Sequence, residues 1–222
     1  MTDLELGAIW LAVLAAGIGG CVVLHAFGVA STYIRDILHI GAGVWIAGWP
    51  LWHGDLVPIA IVTMAALSTA VLPNVARHND LAARIVKSVT NGDEHWTGLV
   101  HYTAVYAVFT AIGGVGDRFP AAAALLSLSL GDGIGGAIGR AFGRHRYHAP
   151  GAKVKSLEGS VAVFLAATAG VFLAMHLCHR DIALIALLGL GLVATVAEAF
   201  APRGTDNLLI PIAVWTAATL MT

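Results

Sequence analysis

Apolar runs of about 20 residues recur along the whole chain, and only short polar connections separate them. The chain is 58% hydrophobic and 11% charged over 222 residues, which is too apolar for one soluble core. A helix of about 20 apolar residues crosses a bilayer, and shorter runs cross where flanking polar groups reach the interface. The sequence therefore predicts an all-α, polytopic membrane protein, folded as a single transmembrane domain over residues 1–222.

By this length criterion the chain has about eight candidate transmembrane helices. Seven is the alternative, because the second and the last runs are the weakest. The candidates cover about residues 6–29, 37–52, 55–73, 98–115, 119–140, 159–178, 181–200 and 207–222.

The basic residues test this count, because Lys and Arg in short loops favour the cytoplasmic side of a membrane. Ten of the twelve fall in alternate connections, and two fall in the others. The ten are Arg35, Arg77, Arg84, Lys87, Arg140, Arg144, Arg146, Lys153, Lys155 and Arg203, and the two are Arg118 and Arg180. We therefore expect both termini outside, cytoplasmic loops at 74–97 and 140–158, and a short interfacial helix in the first loop. The expected location is the cytoplasmic membrane of a prokaryote.

An acid, a row of glycines and five cations cluster at the end of the fifth apolar run. Asp132 lies inside this run, where an ionisable group indicates a functional site by default. Four glycines leave a bare backbone stripe that a helix or the phosphates of a ligand can approach: Gly131, Gly135, Gly139 and Gly143. The five cations are Arg140, Arg144, Arg146, Lys153 and Lys155. Such a set suits a magnesium-bound polyphosphate, since Mg²⁺ prefers carboxylates plus substrate phosphates, and phosphates prefer Lys and Arg.

Several of these polar residues also have a structural interpretation. Ser156 can cap the next helix and Glu158 can complement its dipole, although a helix start rich in Ser, Gly and Lys also suits phosphate. The glycine stripe can serve helix packing alone, and Asp206 or Asn207 can cap the last helix. Glu198 differs, because capping does not explain a carboxylate one turn inside an apolar helix.

The ten histidines do not indicate a metal site, because none pairs with a carboxylate at the spacing of zinc ligands. His39 is of interest for another reason. It follows Arg35 by four residues, so a helix stacks both side chains on one face at the start of the second span.

Three blocks of the sequence resemble a known family. The runs LGDGIGGAIGRAFG, KSLEGSVAVF and EAFAPRGTDNLLIP are similar, in order and spacing, to the CTP-dependent lipid-alcohol kinases, which include dolichol, phytol, farnesol and diacylglycerol kinases. RDILHIGAG at 35–43 looks like the family's Arg-Lys-x-x-His-x-x-x-Gly motif, and GLVHY at 98–102 looks like a weaker Gly-Thr-x-x-Tyr block. Two positions depart from these patterns: Asp36 stands where the family usually has Lys, and Leu99 where it usually has Thr.

The resemblance implies a kinase that transfers the terminal phosphate of CTP to the hydroxyl of a membrane isoprenoid alcohol, of polyprenol, dolichol, phytol or geranylgeraniol type, at the cytoplasmic face. Such a transfer needs charge neutralisation and in-line positioning more than covalent help. The implied catalytic residues are Asp132, Lys155, Glu158 and Asp206, and the implied Mg²⁺ ligands are Asp132, Glu198 and Asp206. The implied nucleotide-binding residues are Arg35, His39, Gly131, Gly133, Gly139, Arg140, Gly143, Arg144, Lys153, Ser156, Gly159 and Asn207.

The expected partners are a lipid alcohol, a nucleotide and the membrane, with no nucleic acid, and a homodimer is left open. Three other functions are alternatives: a CTP-dependent diacylglycerol kinase, an enzyme similar to phosphatidate cytidylyltransferase, and a small-molecule transporter with Asp132 in its substrate site.

Overall fold

The computed structural model describes residues 1–90, 96–149, 154–202 and 204–221. The helices are α1 (Asp3–Ala26), α2 (Ser31–Ala47), α3 (Leu56–Val75), α4 (Asp80–Val89), α5 (Thr97–Val115), α6 (Arg118–Leu126), α7 (Gly133–Phe142), α8 (Leu157–Leu177), α9 (Leu184–Phe200) and α10 (Asp206–Met221). A 3₁₀ turn (Trp49–Leu51) follows α2, a π-helical segment (Ser127–Asp132) joins α6 to α7, and strands β1 (Arg146–His148) and β2 (Val154–Ser156) precede α8.

The helices confirm an all-α, polytopic membrane protein. Within the described ranges, five stretches are long and apolar enough to cross a membrane: α1, α3, α5, the continuous stretch Arg118–Phe142 and α8. The apolar helices α9 and α10 are shorter, with 17 and 16 residues, and α2 has 17. The helices overlap all the expected spans, although α2 begins and ends earlier than the expected 37–52. The count of eight crossings stays a prediction.

The two loops expected on the cytoplasmic side contain regular structure. The first holds the expected short helix, α4, where the side chain of Asn79 caps the helix by accepting from the backbone N–H of Ala82 (2.9 Å). The second contains a short hairpin that was not predicted: β1 pairs with β2 in antiparallel register, with Tyr147 opposite Lys155. Apolar periodicity reveals no three-residue strand, because one alternation of side chains is too short to detect.

Helix α6 forms the centre of the bundle. Its residues from Phe119 to Leu126 are all buried, and α5, α8 and α10 pack around it. Four consecutive alanines, 121–124, keep the helix thin enough for neighbours on every side. By contrast, most of α1 is exposed and apolar, as expected for a helix that faces lipid.

Ion pairs mark one end of the bundle. There Asp3, at the start of α1, accepts a hydrogen bond from the backbone N–H of Gly54 (2.9 Å), and Arg118 pairs with Asp55 (2.8 Å). Arg180 bonds to the residue that precedes Arg118 (2.9 Å). The two basic residues assigned to the outer side therefore lie together, at the end where the chain begins. Which side of the membrane this end faces stays a prediction.

Gly170 of α8 provides a test of the packing around α6. A Cβ atom at this position would lie 2.8 Å from the carbonyl oxygen of Leu126, a backbone atom that cannot turn aside. We expect Gly170→Ala to lower the free energy of unfolding by about 1–3 kcal/mol through overpacking. Gly189→Ala in α9 is the matched control, since a Cβ there meets nothing within 4 Å. Thermal unfolding in detergent micelles measures both, and equal midpoints would contradict the packing.

Candidate active site at one end of the bundle

A charged cavity of about 420 Å³ opens at the end of the bundle where α10 begins. Its volume lies within the usual range for small-molecule sites. Among the described residues, four cations and four carboxylates line it: Arg35, Arg140, Arg146 and Lys155, and Asp36, Asp132, Glu198 and Asp206. The other lining residues are Thr32, His39, Gly135, Gly136, Gly139, Val154, Ser156, Gly159 and Ser160. Side chains far apart in sequence therefore meet in one cavity with balanced formal charge.

The π-helical segment presents Asp132 to the cavity. A π turn widens the helix by one residue, and such turns often occur at functional sites. On one side of this segment, Gly131 lies against α8, where a Cβ would be 3.2 Å from the Cβ of Ala167. On the other side, Gly133 lies against α2, where a Cβ would be 2.8 Å from Ile40. The two glycines therefore let α8 and α2 close around the turn that carries Asp132.

His39 is the neighbour of Asp132, and its ring is fixed from three sides. Its Nε2 lies 3.6 Å from Oδ2 of Asp132 and 3.2 Å from Oδ1 of Asn207. The amide nitrogen of Asn207 donates to the carbonyl of Gly98 (2.8 Å), so its oxygen faces His39 as an acceptor. Tyr102 donates to the His39 carbonyl (2.9 Å) and stacks on its ring at a centroid distance of 4.0 Å. Asn207 thus lies behind His39 and is not among the residues that line the cavity.

Lys155 and Glu198 form an ion pair between β2 and the last turn of α9. Glu198 is only 7% exposed, so its charge depends on this partner. Burial by itself would lower the pKa of Lys155, but the adjacent Glu198 carboxylate, with the charges of Asp132 and Asp206, raises it above the ordinary value. Lys155 therefore stays protonated across the physiological range, and its pairing leaves Glu198 less suited to hold a metal ion than the sequence suggests.

The carboxylates of Asp132 and Asp206 are the strongest candidates for holding Mg²⁺. In the part of the chain that the structure describes, no three His, Cys, Asp or Glu side chains cluster closely enough to hold a metal by themselves. Mg²⁺ does not require such a cage, since it usually takes one or two carboxylates together with substrate phosphates and water. Two acids beside several cations in one cavity fit that pattern.

Glu158 and Arg144, also in the predicted set, lie outside the cavity lining. Glu158 accepts from the backbone N–H groups of Arg144 (3.1 Å) and His145 (3.3 Å), and from Nδ1 of His145 (2.7 Å). It ties the start of the basic loop to α8, and neither Glu158 nor Arg144 lines the cavity. The expected helix cap is present beside it, since Ser156 accepts from the N–H of Gly159 (3.1 Å).

The predicted glycines have different positions. Gly139 and Gly159 line the cavity and hold α7 against α8, because a Cβ on Gly159 would lie 3.1 Å from the Cα of Gly139. Gly131, Gly133 and Gly143 serve packing and do not line it. Lys153, also predicted to bind the nucleotide, lies outside the described residues.

Several lining residues are absent from the predicted set, and they are Thr32, Asp36, Gly135, Gly136, Arg146, Val154 and Ser160. Arg146 is among the five cations of the sequence, but only the hairpin aligns it with the cavity. Ser160 follows the Ser-Leu-Glu-Gly cap, and its hydroxyl lies 2.7 Å from that of Tyr147. The sequence could have identified Thr32 as a lining residue, because it lies three residues before Arg35 and therefore on the same face of α2.

The fold and the cavity together define a class of protein: a membrane-embedded helix bundle with a charged, ligand-sized site at its end. A phytol kinase from Synechocystis sp. is 31% identical over 221 residues, which cover 92% of this chain and 88% of that protein. The chain therefore belongs to the CTP-dependent lipid-alcohol kinase family, as its motifs predict. No family model and no solved structure matches it.

The Lys155–Glu198 pair provides a test of the site's electrostatics. We expect Lys155→Met to lower the free energy of unfolding by about 3 kcal/mol, because it leaves Glu198 buried without its partner. A second change, Glu198→Gln, removes that charge and should restore most of the loss. Lys87→Met, an exposed cation on α4, is the control. Chemical unfolding in micelles measures all variants, and a double variant no more stable than Lys155→Met would contradict the pairing.

Proposed function

We propose that this protein transfers the terminal phosphate of CTP to the primary hydroxyl of a membrane isoprenoid alcohol. The observation that supports this best is the cavity itself, where Asp132 and Asp206 lie among four cations at the end of apolar helices. Family membership supports the reaction class, and the motif resemblance supports CTP as the donor. A twenty-carbon alcohol of phytol or geranylgeraniol type is the proposed acceptor, because the relative is named a phytol kinase.

In the proposed reaction, the alcohol oxygen attacks the terminal phosphorus of the nucleotide. A new O–P bond forms while the bond to the middle phosphate breaks, which leaves CDP and a phosphorylated lipid. Asp132 or Asp206 accepts the proton of the alcohol. Arg140, Arg146 and Lys155 bind the phosphates and stabilise the negative charge that spreads over the group in transit.

Of Asp132 and Asp206, the acid that does not accept the proton would hold Mg²⁺ together with the phosphates of the donor. The metal, when bound, supplies further neutralisation of charge on the phosphate oxygens. His39 lies against Asp132, and its own ring contacts the side chains of Asn207 and Tyr102. In this arrangement Lys155 binds the phosphates of the donor and also pairs with the carboxylate of Glu198.

The depth of the cavity suits an acceptor that is held in the bilayer. The apolar tail stays among the helices and only the hydroxyl reaches Asp132, which lies where the apolar stretch Arg118–Phe142 passes its π turn. The long apolar tail stays in lipid throughout the reaction, so no free energy is needed to move its apolar surface into water. This arrangement supports a membrane alcohol over a soluble one.

A panel of lipids and nucleotides tests the function directly. Purified protein in nanodiscs is incubated with CTP, ATP, GTP or UTP labelled on the terminal phosphate, and with phytol, geranylgeraniol, farnesol, dolichol or diacylglycerol. We expect label on phytol or geranylgeraniol from CTP, with CDP as the second product. Release of pyrophosphate and a lipid carrying CMP would indicate a cytidylyltransferase instead, and no consumption of any nucleotide would support a transporter.

Asp132→Asn tests the assigned role of this half-buried acid. We expect turnover to fall by at least about 100-fold, because the variant loses a charge in the cavity while keeping the shape of the side chain. Asp117→Asn is the matched control, since Asp117 caps α6 at the opposite end and Asn also caps well. Label transfer measures both. Turnover of Asp132→Asn near that of the control would remove Asp132 from the reaction.

We also propose that the cavity faces the cytoplasm of a prokaryotic cell, as the basic residues favour. In a variant without Cys21 and Cys178, single cysteines replace His148 in the hairpin or Asp181 at the opposite end, both exposed. An impermeant thiol reagent applied to intact cells should label position 181 and spare position 148. Permeabilised cells are the control, in which both positions should react. Labelling of position 148 from outside would place the cavity on the wrong side for cytosolic CTP.

A further inference from the structure

Three groups hold the guanidinium of Arg140 at the edge of the cavity. Asp36 on α2 forms an ion pair with it, across the gap between α2 and α7. The ring of Tyr33, also on α2, lies 5.9 Å from the central carbon of the guanidinium. Gly136, one turn before Arg140, leaves room for it, since a Cβ there would be 3.2 Å from Nη1. We call Tyr33, Asp36 and Gly136 the guanidinium seat.

The buried carboxylate of Asp36 is energetically unfavourable unless Arg140 pairs with it. Its residue exposure is 9%, and three other carboxylates line the same cavity. A poorly hydrated acid among like charges is stable as an ion only with a hydrogen-bonded cation. Arg140 supplies that cation. Its guanidinium has five N–H donors in a fixed, forked geometry, so donors remain after it bonds to a carboxylate oxygen of Asp36.

We propose that Asp36 is a positioning residue, which fixes Arg140 in the orientation that binds a phosphate group of the nucleotide donor. Asp36 does not bind the phosphate itself, because like charges repel, and it acts only through Arg140. The ring of Tyr33 and the bare backbone of Gly136 complete the seat by limiting how far the guanidinium can turn. This inference rests on the proposed function for the identity of the donor.

The first experiment separates positioning from structural support. The nucleotide KM and kcat are measured in nanodiscs for wild type, Asp36→Asn, Arg140→Gln and the double variant. We expect Asp36→Asn to raise the KM about tenfold, the effect of one misaligned charge-assisted hydrogen bond, with a smaller change in kcat. The double variant should have a KM no higher than that of Arg140→Gln, because Asp36 contributes nothing favourable once Arg140 is gone. Effects of the single variants that multiply in the double variant would overturn the proposal.

A second variant disturbs the seat without removing a charge. Gly136→Ala adds a methyl group that must displace the flexible guanidinium by a few tenths of an ångström. We expect its nucleotide KM to rise in the same direction as that of Asp36→Asn, but by less. Gly189→Ala is the control, because it adds the same group to a helix in open space. A KM for Gly136→Ala equal to that of the control would show that orientation does not matter, and would overturn the seat.

A phosphate probe separates this proposal from the proposed function. Inorganic tripolyphosphate with magnesium is added to the intact protein, and the thermal midpoint is measured for wild type, Asp36→Asn and Arg140→Gln. We expect stabilisation of wild type and a smaller shift in both variants. If no nucleotide is turned over but this pattern holds, the function fails and the seat stands. If nucleotide is turned over and Asp36→Asn keeps the wild-type KM, the seat fails and the function stands.

Discussion

The compensation of charge at the end of an apolar bundle is the constraint on which the rest of the structure depends. Four basic and four acidic side chains of the described residues line one cavity, and the acids lie where helices are otherwise apolar. An uncompensated charge at that depth is expensive, so each carboxylate needs a cation from another element. The Lys155–Glu198 pair joins the hairpin to α9, and the Asp36–Arg140 pair joins α2 to α7. The chemistry of the site and the assembly of its walls therefore use the same residues.

Small residues let the helices pack closely enough to form this site. The alanines of α6 let α5, α8 and α10 surround one thin helix, and Gly170 lets α8 contact the backbone where α6 gives way to the π turn. The turn then directs Asp132 towards α2 and His39. Without close packing around α6, the acid would have no fixed neighbours, and a carboxylate held loosely by about 1 Å can lose a large share of its catalytic effect.

Much of this could be predicted from the sequence, because membrane helices and isolated acids leave strong local signals. The apolar runs predict the helix positions, and Asp132, Lys155, Glu198 and Asp206 stand out as charges at the ends of such runs. Which charges pair could not be predicted, since the partners lie 43 and 104 residues apart and meet only through packing. The hairpin and the hydrogen bonds that Glu158 accepts from the basic loop were missed for the same reason: both depend on how the loop folds back on α8.

The pairing of Asp36 also gives physical meaning to a departure in the sequence. In the motif at residues 35–43 an acid stands where the family usually has Lys, which by itself suggests a lost phosphate contact. In the structure, that acid faces Arg140 from α7, so the cation at this edge of the cavity comes from the opposite wall. The two walls then depend on each other: an acid at position 36 is stable because Arg140 is there, and Arg140 is oriented because the acid is there. A substitution at either position therefore has to be judged as a change to the pair, and not as the loss of one side chain.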